Sequence, residues 1–402
     1  PPRTLQAEWE HPPTSQADIT AISDSLSRTL NLSFEPTLLS LLRHPDIASK
    51  EFVVRRYDHE VQGATVLKPL VGRAGNGPGD AAVLQPILDE PATQGLVISN
   101  GINPLYGRID PYHMALNAVD EALRNLTAVG GDIEHAALLD NFCWGSPADP
   151  IQLGLLVRAV KGCYDAAVGF GTPFISGKDS LNNEYRSADG RVPVLPTLLI
   201  SAIGIINDAA HTIDMSLKTP GNQLYLIGPT RNELAGSHYA EVIDADSFSQ
   251  LFSQSDVPQV QVQKARATMQ ALGAAIRQGY VQACHDLSEG GLAVAAAEMA
   301  LAAMLGVNLD ISKLKLKDTS TIPAQAANIV KLFSESPSRF LVEVAPEQWG
   351  AFEKHMRTHS IEDVTYLGSV TTSTHFIVRD DDNELINIDV AELQAAWKGD
   401  LP

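Results

Sequence analysis

A strand-to-helix turn at His285 to Gly291 carries the residue types of a phosphate and metal site. The segment reads His-Asp-Leu-Ser-Glu-Gly-Gly, follows an apolar strand and opens an alanine-rich helix. Ser288 is a natural N-cap, and the free N–H groups and the dipole of a helix N-terminus attract phosphate. Asp286, at the strand end, is placed to hold a magnesium ion that bridges this phosphate. The alternative is a tight turn with a capped helix, in which His285 is only a packed histidine.

A second candidate is the glycine-rich run from Gly72 to Asp80. Glycines that precede an aspartate let the backbone approach a phosphate and place a carboxylate for a metal ion. No Gly-Lys-Ser/Thr follows, so the run is not a Walker motif. A glycine-rich hairpin turn without a ligand explains the same pattern equally well.

A third candidate is the polar face of a helix that is predicted from Asp110 to about Val129. Asn117, Glu121 and Asn125 are four residues apart, so they share one face. Carboxylate and amide oxygens are magnesium ligands, and Glu121 and Asn125 can share one ion. The default alternative is a solvated helix face, although the Lys/Glu mixture usual on such a face is missing here.

Two further polar motifs accompany predicted strands in the middle of the chain. Asp140-Asn-Phe-Cys-Trp-Gly145 ends a strand, which is where α/β proteins place ligands. Gly177-Lys-Asp-Ser-Leu-Asn-Asn-Glu184 is predicted to be a loop after a short strand at Pro173 to Ser176. Its lysine, acids, hydroxyl and amides suit a sugar phosphate or a nucleotide tail. For the first motif the alternative is a buried tryptophan with a turn, and for the second it is a polar surface loop. Cys143 has no evident histidine partner and is therefore assigned to packing rather than to catalysis.

Strands and helices alternate along the chain, which predicts an α/β or α+β fold. A chain of 402 residues usually divides into two or more cores, and we place a boundary near residues 211–220. The predicted divisions are a linker with short helices (1–45), an α/β nucleotide and metal domain (46–212), an α-β sandwich (213–380) and a tail (381–402).

Both ends of the chain carry predictions of their own. A helix is predicted from about Asp18, with Ile19, Ile22, Leu26 and Leu30 on one face, and a second short helix after Pro36. The last strand is placed at 375–379, and Trp397 is expected to pack back on the body. Pro1-Pro2-Arg3 is not an initiation sequence, which predicts a chain cut from a longer one.

Composition excludes several classes of protein. The net charge is −19 and no basic face is evident, which argues against nucleic-acid binding. The sequence contains no run of 18 or more apolar residues, so a membrane span is not predicted. No secretory signal is visible, and the odd count of three cysteines without metal-like spacing favours a reducing compartment and free thiols. An acidic protein can still bind phosphate through backbone N–H groups and metal ions.

Five motifs together resemble the phosphoribosylformylglycinamidine synthase family, in that family's order, over about residues 30 to 380. The resemblance is to the second half of the synthetase part, an internal duplication related to aminoimidazole ribonucleotide synthase and selenophosphate synthetase. It implies an α/β domain whose strands complete a barrel with the other half, followed by an α-β sandwich. The motifs are Arg55-Arg-Tyr-Asp-His-Glu-Val-Gln-Gly63, Asp140-Asn-Phe-Cys-Trp-Gly145, Ser176-Gly-Lys-Asp-Ser180, Pro196-Thr-Leu-Leu-Ile-Ser201 and His285-Asp-Leu-Ser-Glu-Gly-Gly291.

The resemblance implies a cytoplasmic, ATP- and magnesium-dependent carbon–nitrogen ligase of purine biosynthesis. ATP activates the formamide oxygen of formylglycinamide ribonucleotide, and ammonia from glutamine displaces phosphate to give the amidine, while magnesium neutralises developing charge. The implied partners are the first half of the synthetase and a glutaminase domain or subunit. The family's catalytic histidine lies in the first half, so no catalytic residue is expected here and the isolated chain is predicted to be inactive or very weak.

The resemblance also suggests roles for individual positions. Lys178 departs from the shorter relatives, which carry a metal-binding asparagine there. A protonated lysine cannot ligate magnesium, so Lys178 is expected to meet a phosphate of ATP directly. The expected magnesium ligands are Asp80, Glu121, Asn125 and Asp286, the ATP contacts are Asp140, Gly177 and Lys178, and the substrate or phosphate contacts are Ser180 and the predicted N-cap Ser288.

Two alternatives remain open at this point. In a duplicated enzyme, one half can hold a nucleotide, such as tightly bound ADP, for stability without turning it over. Alternatively, the chain performs another reaction of the superfamily, such as selenophosphate synthesis, against which the motifs at 140–145 and 176–184 argue.

Overall fold

The computed structural model describes residues 5–9, 33–57, 60–86, 93–187 and 190–399. The helix expected from Asp18 to Leu30 lies outside these ranges. The short helix expected after Pro36 is confirmed as α1 (Phe34–Leu42), with Leu38, Leu41 and Leu42 fully buried. This helix contacts helices and a strand of the C-terminal part, so it belongs to the packing of the second domain.

The first domain is built on a six-stranded sheet with the order β1-β4-β5-β10-β6-β7. Its pairs are antiparallel, except that the edge strand β7 runs parallel to β6. The two short pairs β2-β3 and β8-β9 lie outside this sheet. The strands are β1 (Thr65–Leu67), β2 (Leu70–Val71), β3 (Gly77–Pro78), β4 (Ala82–Leu84), β5 (Gly95–Ile102), β6 (Asp132–Cys143), β7 (Phe174–Ser180), β8 (Glu184–Ser187), β9 (Gly190–Pro193) and β10 (Thr197–Ile206).

One helix, α4, connects this sheet to the rest of the molecule. It begins where the Asp110 carboxylate accepts the Tyr112 backbone N–H at 2.9 Å and Pro111 takes the first turn, and it ends before Gly130, whose φ is +95°. It contacts α5, β5 and β10 on one side and α8 and β12 of the second domain on the other. The helices of this part are α2 (Glu51–Val54), α3 (Pro104–Gly107), α4 (Pro111–Ala128) and α5 (Pro150–Phe170).

Among the described residues, the six-stranded sheet is not closed into a barrel. Its two ends are β1 and β7, which do not pair with each other. Apolar side chains remain exposed on its strands: Val66, Ile98, Ile175 and Ile205 are 41%, 43%, 63% and 37% accessible. The strands expected to complete a barrel therefore have to come from elsewhere, and that part of the expectation stays a prediction.

The second domain contains a seven-stranded sheet with the order β12-β14-β11-β15-β13-β16-β17, antiparallel except for the β13–β16 pair. The strands are β11 (Gln223–Ile227), β12 (Ala283–Asp286), β13 (Gly306–Asp310), β14 (Phe340–Val344), β15 (Val364–Thr371), β16 (His375–Asp380) and β17 (Asn383–Asp389). The helices are α6 (His238–Val242), α7 (Ala245–Phe252), α8 (Val262–Arg277), α9 (Gly291–Ala303), α10 (Ala327–Phe333), α11 (Trp349–Thr358) and α12 (Val390–Lys398).

The packing of this domain explains its buried helix and its C-terminal end. The apolar helix α9 contacts β12, β14, α10 and α12, which explains why nearly all of its residues are buried and why it has no broad polar face. The prediction that residues 375–379 form the last strand was wrong, because β17 and α12 follow. The packing of Trp397 is confirmed: its ring is 2% exposed, and its Nε1 donates to the Ile47 carbonyl at 3.1 Å. Among the described helices, none combines the length and the apolar composition that a membrane span needs.

Candidate functional site

A cavity of about 420 Å³ lies between the two domains. Its walls come from the turn after α1, the hairpin before β4, helix α4, the end of β12 and the beginning of α9. The four side chains expected to bind magnesium all line this cavity, and we call them the cavity cluster: Asp80, Glu121, Asn125 and Asp286. Distant segments thus meet at one place, since Asp80 and Asp286 are 206 residues apart in the sequence.

Asp80 is buried and uses only one of its carboxylate oxygens within the protein. Oδ1 accepts the backbone N–H of Asp286 at 3.0 Å and lies 2.7 Å from His285 Nδ1. Oδ2 is buried and has no hydrogen-bond partner among the described residues. An unpaired buried carboxylate oxygen is costly unless a cation or a proton satisfies it, so the residues present fit a bound cation.

Glu121 and Asn125 approach the same space from α4. Glu121 Oε2 accepts the backbone N–H of Ile102 at 2.9 Å and Nδ2 of Asn103 at 2.7 Å. Burial, and then the nearby Glu289 carboxylate, raise the pKa of Glu121 well above its usual range. Asn125 donates from Nδ2 to the Asn100 carbonyl at 3.0 Å, so its Oδ1 is the atom that can serve a cation. The predicted alternative of a solvated face is wrong for Glu121, which is 6% exposed.

Arg124, which the sequence analysis missed, links the cavity cluster to the second domain. Its Nε and Nη2 lie 3.3 and 3.2 Å from Asp286 Oδ2, and its Nη1 donates to Asp120. Asp120 also accepts the Ser338 backbone N–H at 3.0 Å and the Ser338 hydroxyl at 2.7 Å. Burial lowers the pKa of Arg124, but Asp120 and Asp286 raise it by more, so the guanidinium stays charged and holds the Asp286 carboxylate in position.

His285 is also part of the site rather than an isolated packed residue. Its Nε2 lies 3.1 Å from Glu298 Oε2, opposite the Asp80 contact. One ligand atom each from Asp80, His285 and Asp286 lies within 4.8 Å of the other two. Burial lowers the pKa of His285, but Asp80 and Glu298 raise it well above its usual range, so His285 holds Asp80 in place by a charged hydrogen bond. Its position in the His285-to-Gly291 motif was a signal that could have identified it.

The beginning of α9 differs in detail from the prediction. The N-cap is Gly290, not Ser288, and the Ser288 hydroxyl donates to Asp286. The N–H groups of Gly290 and Gly291 are used within the protein, by Glu335 Oε1 at 2.8 Å and the Ser288 carbonyl at 3.1 Å. The phosphate role of Ser288 stays a prediction, although its side chain does line the cavity.

The remaining predicted residues lie together elsewhere, on the edge of the first sheet. The prediction of a loop at 177–184 was wrong for its first half, because residues 177–180 continue β7. Asp140 pairs with Gly177 across β6 and β7, and a Cβ at Gly177 would lie 2.2 Å from Asp140 Oδ1. Lys178 Nζ donates to the Ser180 hydroxyl. We call this group the strand-edge motif, and none of its members lines the cavity: Asp140, Gly177, Lys178 and Ser180.

Comparison with known proteins matches two family domains to the chain. The AIR synthase related protein N-terminal domain matches residues 78–206, and the C-terminal domain of that family matches residues 219–381. The chain is 34% identical over 401 residues to phosphoribosylformylglycinamidine synthase subunit PurL of a Synechocystis strain, covering 97% of this chain and 48% of the relative. It therefore spans about half the length of this curated relative.

Solved structures show the same fold. Thermotoga maritima PurL complexed with FGAR matches with a TM-score of 0.66 at 16% identity, over 96% of this chain and 57% of that chain. T. maritima PurL complexed with ATP matches with a TM-score of 0.59 at 17% identity, over 88% of this chain and 53% of that chain. At these identities the match concerns the fold alone.

Proposed function

The chain belongs to the AIR synthase related family, and we propose that it is one half, the second, of a phosphoribosylformylglycinamidine synthase. In that role it binds a magnesium–nucleotide complex in the cavity between its domains. The whole enzyme converts formylglycinamide ribonucleotide, ATP and glutamine-derived ammonia to the amidine, in the cytoplasm. The other half of the synthetase and a glutaminase domain or subunit are the proposed partners.

The observation that carries this proposal is the convergence of the cavity cluster. Asp80 Oδ2 is buried without a partner among the described residues, and Glu121 is buried beside a second carboxyl, Glu289. The protein's own cations contact Asp80 and Asp286, whereas the neighbouring Glu121 and Glu289 carboxyls repel each other when both are ionised, and a bound cation would relieve this repulsion. Magnesium supplies charge neutralisation for the triphosphate. The chain positions the ligands, since His285 orients Asp80, Arg124 orients Asp286, and the amide of Asn125 is oriented by Asn100.

The relatives support the nucleotide and the substrate named here. The solved T. maritima proteins with this fold are PurL complexed with ATP and PurL complexed with FGAR. The cavity of about 420 Å³ is within the usual size range of small-molecule sites.

The direct test is nucleotide binding by the chain itself. Isothermal titration with ATP or ADP is expected to show binding that requires Mg²⁺ and that Asp80→Asn weakens by about tenfold or more, since it removes a charged ligand. Asp382→Asn, at an exposed acid in the turn between β16 and β17, is the matched control and should bind like the parent. Equal binding by parent and Asp80→Asn would show that the cavity cluster is not the cation site.

The second test is turnover in an assembled system. We expect the chain mixed with the other half of the synthetase, formylglycinamide ribonucleotide and ammonia to hydrolyse ATP only when the substrate is present. The chain alone should show little or none. If a folded mixture shows no substrate-dependent ATP hydrolysis, the proposed reaction is contradicted, whereas the proposal of nucleotide binding is not.

A second function, nucleotide retention without turnover, is favoured by one observation. The residues expected to contact ATP and substrate, Asp140, Gly177, Lys178 and Ser180, lie outside the lining of the cavity that holds the expected metal ligands. If this function holds, Asp286→Asn lowers the melting temperature of the nucleotide complex without changing the rate of the assembled enzyme. If the cavity is catalytic, the rate falls in proportion to nucleotide occupancy.

A further inference from the structure

Outside the cavity cluster, two histidines and an aspartate from distant parts of the chain meet between α1 and α6. His44 and Asp46 lie in the turn after α1, and His238 is the first residue of α6. One ligand atom of each lies within 4.8 Å of the other two. Asp46 Oδ2 is 3.2 Å from His238 Nε2 and 3.8 Å from His44 Nδ1.

The two separations measured from Asp46 suit one small divalent ion. Zinc binds nitrogen and oxygen at about 2.0–2.2 Å in a tetrahedron, which places neighbouring ligand atoms roughly 3.3–3.6 Å apart. Two imidazoles and one carboxylate favour zinc and its neighbours over magnesium, which prefers an all-oxygen environment. We propose that His44, Asp46 and His238 form a second metal site, for zinc or a similar divalent transition metal. This inference is independent of the function proposed above.

The strongest support is the carboxylate behind His238. Glu335, whose side chain is fully buried, lies 3.2 Å from His238 Nδ1 through Oε1. The same carboxylate accepts the backbone N–H groups of His238 at 2.9 Å and Gly290 at 2.8 Å and the Tyr106 hydroxyl at 2.6 Å, so it cannot turn away. An imidazole that donates one N–H to a fixed carboxylate presents its other nitrogen to a metal, which is the usual support of a metal-binding histidine.

A bound metal would replace the contacts that the ligand nitrogens of His44 and His238 now make. His44 is half-buried beside the ring of His238. Its Nδ1 accepts only a long bond from the Asp46 backbone N–H, at 3.3 Å. His238 Nε2 lies 3.2 Å from Asp46 Oδ2, and a metal held by both atoms would replace this direct contact. Without a metal, His238 bridges Glu335 and Asp46 through its two ring nitrogens.

The position of the site links it to the cavity. Asp46 lines the cavity of the cavity cluster, and the chain continues from it through Lys50, which lines the same wall. A metal held by His44, Asp46 and His238 ties this wall to the second domain. The exposed side chain of Asp46, 60% accessible, leaves room for water at a fourth position.

The test is metal binding by the whole chain after stripping with a chelator. Titration with Zn²⁺ against a chelating indicator is expected to show one tight site, and Co²⁺ is expected to give the visible absorption of a tetrahedral complex. His44→Ala and Asp46→Asn should each weaken Zn²⁺ binding by about tenfold or more and abolish the Co²⁺ spectrum. Both side chains are partly exposed, so these variants are expected to fold. Unchanged Zn²⁺ binding in both, or no binding by the parent, overturns the proposal.

Two matched variants separate this site from other metal-binding groups. His359→Ala removes half of the partly exposed His355–His359 pair, whose rings lie 4.3 Å apart, and it should leave Zn²⁺ binding unchanged. Loss of Zn²⁺ binding there instead of in His44→Ala would assign the metal to that pair. Asp80→Asn should likewise leave Zn²⁺ binding intact, and loss in that variant would assign zinc to the cavity cluster. Glu335→Gln should weaken Zn²⁺ binding by about 10- to 100-fold, as expected for a group that positions a ligand.

Discussion

The cavity cluster and the strand-edge motif contain similar polar residues in opposite surroundings. Asp80, Glu121 and Asp286 are buried between the domains, and each is held by several partners. In the strand-edge motif, Gly177 and Lys178 are exposed on β7, the outer strand of an open sheet. The four side chains of the cavity cluster thus line one cavity, whereas the strand-edge motif lies on an open edge of the sheet. We propose that the other half of the synthetase covers this edge.

The largest expected effect is on stability, from Arg124→Ala in the cavity region. This change leaves Asp120 and Asp286, both buried, without their shared cation, which typically costs about 3–5 kcal/mol in the free energy of unfolding. Urea unfolding followed by tryptophan fluorescence measures the loss. Arg186→Ala on β8 is the control and should cost at most about 1 kcal/mol, because the Arg186 side chain is 63% exposed and its partner Glu184 keeps the ion pair with Arg191. A loss of similar size in both variants would contradict the distinction between the two regions.

An intermediate effect is expected in the pH dependence of stability. Burial is the main cause that raises the pKa of Glu289, beside the cavity cluster, to about 7. The folded state therefore binds more protons than the unfolded state between pH 4.5 and 7, and stability falls as pH rises through this window, by up to about 1.4 kcal/mol per pH unit. Glu289→Gln should flatten this slope in chelator-treated protein, as measured by urea unfolding at several pH values.

The same measurement tests whether Mg²⁺ binds to the carboxyls of the cavity. With Mg²⁺ added, the slope of the parent should also become flatter, because a cation favours the ionised carboxyls. If neither Glu289→Gln nor Mg²⁺ changes the slope of stability against pH, the negative charges of the cavity carboxyls are already neutralised by groups of the protein. Asp382→Asn, far from the cavity lining, serves as the control.

Local rules made the members of the cavity cluster candidates, and the family resemblance selected the four as one set. Asp80 follows glycines, Glu121 and Asn125 share a helix face, and Asp286 ends a strand. The residues that contact and orient these four side chains could not be predicted from the sequence in the same way. Arg124 and Asp286 are 162 residues apart in the sequence, and no periodicity connects such positions. Periodicity along the chain indicates which face a residue occupies, but only tertiary packing decides what it faces.

The strand errors have a different cause. Gly177, Lys178 and Asp179 have low strand propensity and were interpreted as a loop, yet pairing with β6 extends the strand through them. The same applies to β17, which begins with the exposed Asn383 and Glu384 and in which the exposed Asn387 separates the buried Ile386 and Ile388. At sheet edges, hydrogen bonding to the neighbouring strand outweighs the preference of single residues, and this preference is all that a local pattern contains.

The smallest effect on stability, and the most informative for the comparison, is expected from Lys178→Ala. The side chain is exposed, so its loss should change the free energy of unfolding by no more than about 0.5 kcal/mol. If the strand-edge motif forms a shared site with the other half, substrate-dependent ATP hydrolysis of the mixture should nevertheless fall by about tenfold or more, because a phosphate loses a charged partner. Lys354→Ala, at an exposed position on α11, is the control and should leave the rate unchanged. Full activity of Lys178→Ala would mean that this lysine meets no ligand, and that the cavity cluster alone carries the contribution of this chain to the reaction.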